Sequence, residues 1–159
     1  MNMESMEKWR EAFRDAANAL GFKGVELDES ASCTIRSERA GVPPIYLVYD
    51  ERNDLVDILA EIGHVPDDDQ GLYREFLFDN LYGDRTKGAV FAASRESGRI
   101  VLQRTLEVAT LAGGEALAAV LVDFTEVACG ARRRLFRSVL PEAEEPAAAK
   151  PVGDMGIRV

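Results

Sequence analysis

The spacing of apolar and polar positions changes several times along this chain, and each change predicts an element. Over residues 6–20, Trp9, Phe13, Ala16 and Leu20 recur at helical spacing, with Ser5 placed to cap the start, Glu7 in the first turn and Gly21 as a stop. After Gly24 the segments shorten to residues 25–27, the alternating stretch 33–36, and 45–49 following Pro43 and Pro44, all read as strands. The last of these, IYLVY, is apolar on both faces. Such a strand is either central in a covered sheet or has one face kept for a partner.

Local and global signals conflict over residues 54–62, DLVDILAEI. Asp54, Asp57 and Glu61 fall at helical spacing and Gly63 and Pro66 would end a helix, whereas the turn-like stretch 50–53 would join a strand here to the preceding one as a hairpin. Residues 66–83, PDDDQGLYREFLFDNLYG, are a second predicted helix, capped by Asp67, Asp68 and Asp69 and stopped by Gly83 in a left-handed conformation. Its apolar surface is too wide for one monomer to cover. Leu72, Tyr73, Phe76, Leu77 and Leu81 form one arc, directed at a sheet, and Phe78 with Tyr82 forms a second patch, set apart by Arg74, Glu75 and Asp79.

Residues 89–93 and 99–108 flank a loop, 94–98, whose glycine suits a hairpin, with Leu102, Leu106 and Val108 on one face and Gln103, Thr105 and Glu107 on the other. Gly113 and Gly114 break the chain before a long helix striped by Leu117, Val120, Leu121, Phe124, Val127, Ala131 and Leu135. The predicted fold class is α+β: helix, three strands, helix, two strands, helix, with a twisted, mostly antiparallel sheet covered by helices. We expect one domain over residues 1–140 and a flexible Pro/Ala-rich tail over 141–159, where apolar content is too low for a core.

Charge and composition narrow the function. A net charge of −9 and a pI near 4.7 argue against a nucleic-acid or anionic-membrane partner. The exception is Arg132, Arg133 and Arg134, read as basic residues opposing the negative end of the last helix. No apolar run reaches the roughly 20 residues of a membrane span and the first residues lack a signal-peptide core, so a cytoplasmic location is expected. Cys33 and Cys129 lack metal or redox spacing and are expected to be reduced. His64 is the only histidine and sits in a Gly-His-Val-Pro turn, the three aspartates lack the spacing of a calcium loop, and no glycine-rich phosphate cradle occurs. No catalytic group, cofactor or metal is expected. What remains is unspent apolar surface in an acidic chain, which points to a binding protein that works as an oligomer.

The chain resembles the class I chaperones of bacterial type III secretion, the Tir-chaperone-like family. The stretches that carry the resemblance are FRDAANALG at 13–21, IYLVY at 45–49, LVDILAEIGHVP at 55–66, residues 77–88 and IVLQR at 100–104. It implies that residues 54–62 are strand. It also implies a homodimer, with the second helix and the late hairpin (Phe78, Leu81, Tyr82 and Val101) at the interface. The N-terminal segment of a secreted effector would then wrap around the dimer in extended form, against Ile35, Ile45, Leu47 and Tyr49 with Phe13 and Leu27 as neighbours. The alternative implied by the same fold is a regulatory chaperone that sequesters a secretion-system or transcription-control protein.

Overall fold

The computed structural model describes residues 3–139. The expected tail at 141–159 therefore lies outside the described residues. Helix α1 spans Met3–Leu20, starting earlier than expected, so Ser5 lies inside its first turn instead of capping it. Trp9, Phe13 and Ala16 are buried, and Gly21, at φ 71°, supplies the left-handed stop. The predicted segment 25–27 is not a strand. It belongs to an irregular connection fastened to α1 by side-chain bonds: Trp9 Nε1 donates to the carbonyl of Ala31 at 2.8 Å, and Arg10 donates to those of Asp28 at 2.8 Å and Glu29 at 3.2 Å.

Strands β1 (Cys33–Ile35), β2 (Ile45–Asp50) and β3 (Leu55–Gly63) follow as an antiparallel meander. The stretch 54–62 is strand from Leu55 onward, with Asp54 in the turn, and that turn supplies the reason. The Asp50 carboxylate accepts from the backbone N–H of Arg52 at 3.0 Å and from the Asn53 side chain at 2.7 Å, closing the hairpin. Pairing then places Val56, Ile58, Ala60 and Ile62 on one face, none more than 3% exposed, and Asp57 and Glu61 on the other. The helical spacing of the acidic residues is a by-product of having polar groups on one side of a strand. At the end of β3 the register shifts between Glu61 and Gly63. A Cβ on Gly63 would lie 2.6 Å from the side chain of Leu135, so the strand turns away there only because the residue is glycine.

Helix α2 (Gln70–Leu81) is capped by Asp69, which accepts from the Leu72 N–H at 3.0 Å. Gly83 does not end it in a left-handed conformation. It opens the short helix α3 (Gly83–Thr86), and Lys87, at φ 50°, takes the left-handed position. Strands β4 (Val90–Ala93) and β5 (Ile100–Glu107) form the late hairpin, a single 3-10 turn covers Val108–Thr110, and helix α4 spans Gly114–Val139. The sheet order is β1-β2-β3-β5-β4, antiparallel throughout.

The core lies between one face of this sheet and the helices. Leu47, Ile58, Leu102 and Phe91 project from the sheet to meet Trp9 and Phe13 of α1, Phe76 of α2 and Leu117, Leu121 and Phe124 of α4. The stripe predicted for α4 is the buried one, with Val120 and Val127 at its margins. Helix α2 buries Leu72, Phe76 and, against expectation, Asp79. Arg134 of α4 donates to the Asp79 carboxylate at 2.6 Å while its guanidinium lies 4.7 Å from the Phe76 ring centre, and Arg85 approaches the other oxygen at 3.3 Å. A buried carboxylate is tolerable only with such partners. Asp79→Ala leaves Arg134 without a counter-charge over the aromatic pair, and it should cost roughly 1–3 kcal/mol of stability in urea denaturation.

Candidate functional site

His64 is exposed in the connection after β3, and among the described residues no group of three or more His, Cys, Asp or Glu side chains could hold a metal ion. Also among them, no helix is long and apolar enough to cross a membrane. The three arginines expected to oppose the helix dipole have separate tasks within α4: Arg134 binds Asp79, Arg132 lies 5.6 Å from the Phe136 ring, and Arg133 is exposed.

Two surfaces suited to binding protein stand out. The first is a cavity of about 460 Å³ between the face of α1 carrying Phe13, Arg14 and Ala17 and the connection carrying Phe22, Val25 and Leu27. Among its lining residues Phe13 and Ala17 are buried, Arg10 is half-buried and Arg14 is exposed. The bonds from Trp9 and Arg10 hold the connection at this distance from the helix, so the cavity is a product of the loop's fastening. Beyond the same connection runs β1, an edge strand whose outer side bonds to nothing among the described residues. The opposite edge differs. On β4 the Asn80 carboxamide accepts from the Phe91 N–H at 2.6 Å and donates to the Phe91 carbonyl at 2.8 Å, occupying the position a further strand would take. Asn80 escaped the sequence reading because its role exists only once α2 and β4 are side by side.

The second surface is the outer side of α2. Leu77, Phe78, Leu81 and Tyr82 are 65%, 63%, 70% and 63% exposed, and Val90 of β4 adds to them. Leu77 and Leu81, expected to face the sheet, are thus solvent-exposed. Of the residues expected to divide the two patches, Asp79 turns inward, whereas Arg74 and Glu75 stay exposed beside them. Val101 is half-buried on the outer face of β5, opposite Ala92.

Of the residues implicated in gripping an extended chain, Phe13, Ile35, Ile45, Leu47 and Tyr49 are all buried, no more than 8% exposed, and only Leu27 is part-exposed. Phe13 and Leu27 line the α1 cavity together, whereas the four strand residues form the core behind it. The alternation of β2 explains this: Ile45, Leu47 and Tyr49 point inward, and Tyr46 and Val48 occupy the outer face. Sequence alone could show that both faces of IYLVY are apolar, not which one the helices would take.

The model of the Tir chaperone protein (CesT) family matches residues 12–132, and the chain belongs to that family. Its fold is shared with solved structures of low sequence identity. A chain of the HopA1–SchA chaperone–effector complex superposes with a TM-score of 0.66 at 14% identity, covering 84% of this chain and 98% of that one. A chain of the ExsC–ExsE complex gives 0.66 at 17% identity, covering 85% and 97%. One from the heterodimeric ExoU–SpcU complex of the type III secretion system of Pseudomonas aeruginosa gives 0.58 at 21% identity, covering 77% and 96%. No curated protein sequence matches.

Cys33 and Cys129 are both free thiols. Cys33 lies on β1 beside the open edge, where burial, assisted by the negative charge of Asp28, pushes its thiol up to about 11. Since the thiolate is the reactive form, Cys33 in the folded protein should react with a disulfide reagent at pH 8 about a hundredfold more slowly than in the urea-unfolded chain. Equal rates for the Cys129→Ser variant with and without urea would show that Cys33 is not sheltered.

Proposed function

We propose that this protein is a cytoplasmic, homodimeric type III secretion chaperone that holds the N-terminal segment of a secreted effector in extended form, keeping it soluble and fit for export. The observation that carries the reading is the α1 cavity lined by Phe13 and Leu27, in a fold whose edge strand β1 pairs on one side only. An extended peptide laid along β1 can hydrogen-bond to its backbone and drop an apolar side chain between α1 and the 22–27 connection. Membership in the Tir chaperone family and the likeness to a chaperone–effector complex support the same assignment.

Within this reading Phe13 and Leu27 form the contact surface, and Ile35, Ile45, Leu47 and Tyr49 are the packed layer that gives it its shape. A disordered partner loses conformational entropy on binding and recovers it by burying apolar groups. The exposed patch on α2 serves the dimer. Burial of Phe78, Leu81 and Tyr82, with Val101 beside them, across a two-fold axis contributes about 1.5–3 kcal/mol per large side chain before association costs. No nucleotide, metal or catalytic step enters the mechanism.

Two substitutions separate the surfaces. Leu27→Asp should keep the circular dichroism spectrum and the dimer yet lose the effector that the unsubstituted protein retains on co-expression. Retention of that partner would place the contact elsewhere. Tyr82→Glu should shift the molecule toward monomer in light scattering at micromolar concentration, and a monomeric unsubstituted protein would remove the dimer from the proposal.

A further inference from the structure

In a chain of net charge −9, the charged residues that line the α1 cavity are Arg10, Arg14 and Glu26, two guanidinium groups against one carboxylate. Arg10 and Arg14 stand one helical turn apart and share a face of α1 with Phe13 and Ala17, so the cations flank the apolar side chains. Neither cation has a carboxylate of its own. Arg10 donates to main-chain oxygens, those of Asp28 at 2.8 Å and Glu29 at 3.2 Å. The Asp28 carboxylate is engaged elsewhere, accepting from the Ser30 hydroxyl at 2.7 Å and from the Ser32 N–H at 3.0 Å. Arg14 is exposed and forms no ion pair among the described residues, neither with Glu11 one turn before it nor with Glu26 of the connection. Other cations of the fold are matched: Lys87 reaches both Asp123 and Glu126, and Arg85 and Arg134 share Asp79.

We propose, resting on the reading of this cavity as the effector site, that Arg14 selects the segment bound there: an apolar side chain enters the cavity, and an aspartate or glutamate two residues away in the same chain pairs with Arg14. The forked donors of a guanidinium match a carboxylate, and a lysine or arginine at the same place would be repelled. Spacing agrees with charge. In an extended chain, residues two apart point to the same side about 6.5 Å from each other. One four-residue step along a helix rises about 6 Å, so an anchor packed against Phe13 and Leu27 brings its same-side neighbour within the reach of an arginine on the adjoining turn. The acidic chain as a whole repels an acidic segment, but at physiological ionic strength that repulsion is screened beyond about 8 Å, and the contact is decided by the groups at the cavity. The partner that fits is therefore an extended polypeptide with an acidic residue beside its apolar anchor.

The test selects binders of the full-length protein from a displayed library of random peptides and titrates them, fluorescein-labelled, by anisotropy. Binders lost on Leu27→Asp occupy the cavity. Among these, Asp or Glu should be enriched two residues from an apolar residue. Changing that acid to its amide should weaken binding to the unsubstituted protein about threefold, the worth of one exposed ion pair, and leave binding to Arg14→Gln unchanged. A lysine in its place should bind Arg14→Glu more tightly than it binds the unsubstituted protein. Arg14 is exposed, so neither variant removes a core contact. Cavity binders without the acidic preference, or an amide change that weakens binding to both proteins equally, would overturn the role of Arg14 and leave the effector site standing. A library that yields no binder sensitive to Leu27→Asp would overturn both.

Discussion

All the large helices lie on one face of a five-stranded antiparallel sheet, and most properties of the molecule follow from that one-sided burial. Strand side chains alternate, so each strand gives half its residues to the core and half to the open side. The open side runs from Thr34 through Tyr46, Leu59 and Gln103 to Val90 in register. It mixes apolar and polar groups, held in place by bonds such as that from Thr105 to Asp57 at 2.5 Å. Folding therefore leaves a sheet surface, a helix surface and an edge strand for other chains.

Helix α2 shows how a single buried charge redistributes surface. By turning Asp79 inward to Arg134 and Arg85, the helix rotates Leu77 and Leu81 out to join Phe78 and Tyr82. Desolvating a carboxylate is unfavourable, but two guanidinium groups, one of them 4.7 Å from the Phe76 ring centre and 5.8 Å from that of Phe91, offset the cost. The result is a larger apolar face than an amphipathic helix packed by its hydrophobic arc would present. The neighbouring Asn80 then seals the β4 edge, so the two sheet edges differ in availability although both are short.

Much of the architecture was legible in the order of residues. The body of α1 and its stop at Gly21, the paired strands after the prolines, the late hairpin about Gly98 and the stripe of α4 all follow from local periodicity and turn chemistry, which act over a few residues. The site was less legible. Phe13 and Leu27 are brought together at a cavity, but Ile35, Ile45, Leu47 and Tyr49 are in the core, because a strand apolar on both sides carries no mark of which side the helices cover. Asp57 and Glu61, spaced as on a helix, are on a strand because pairing with β2 and β5 satisfies the backbone there.

By itself the sequence determined that this is an acidic α+β chain with excess apolar surface, and it carried the pattern of its family. Those properties depend on composition and short-range spacing, which survive in any arrangement of the elements. Tertiary structure alone decided which face of β2 is outward, that Asp79 is a buried counter-ion, and that Asn80 closes one edge. Each of these depends on contacts between residues far apart in the chain, as with Asp79 and Arg134 or Gly63 and Leu135, and no local pattern encodes the direction a side chain takes when such elements meet.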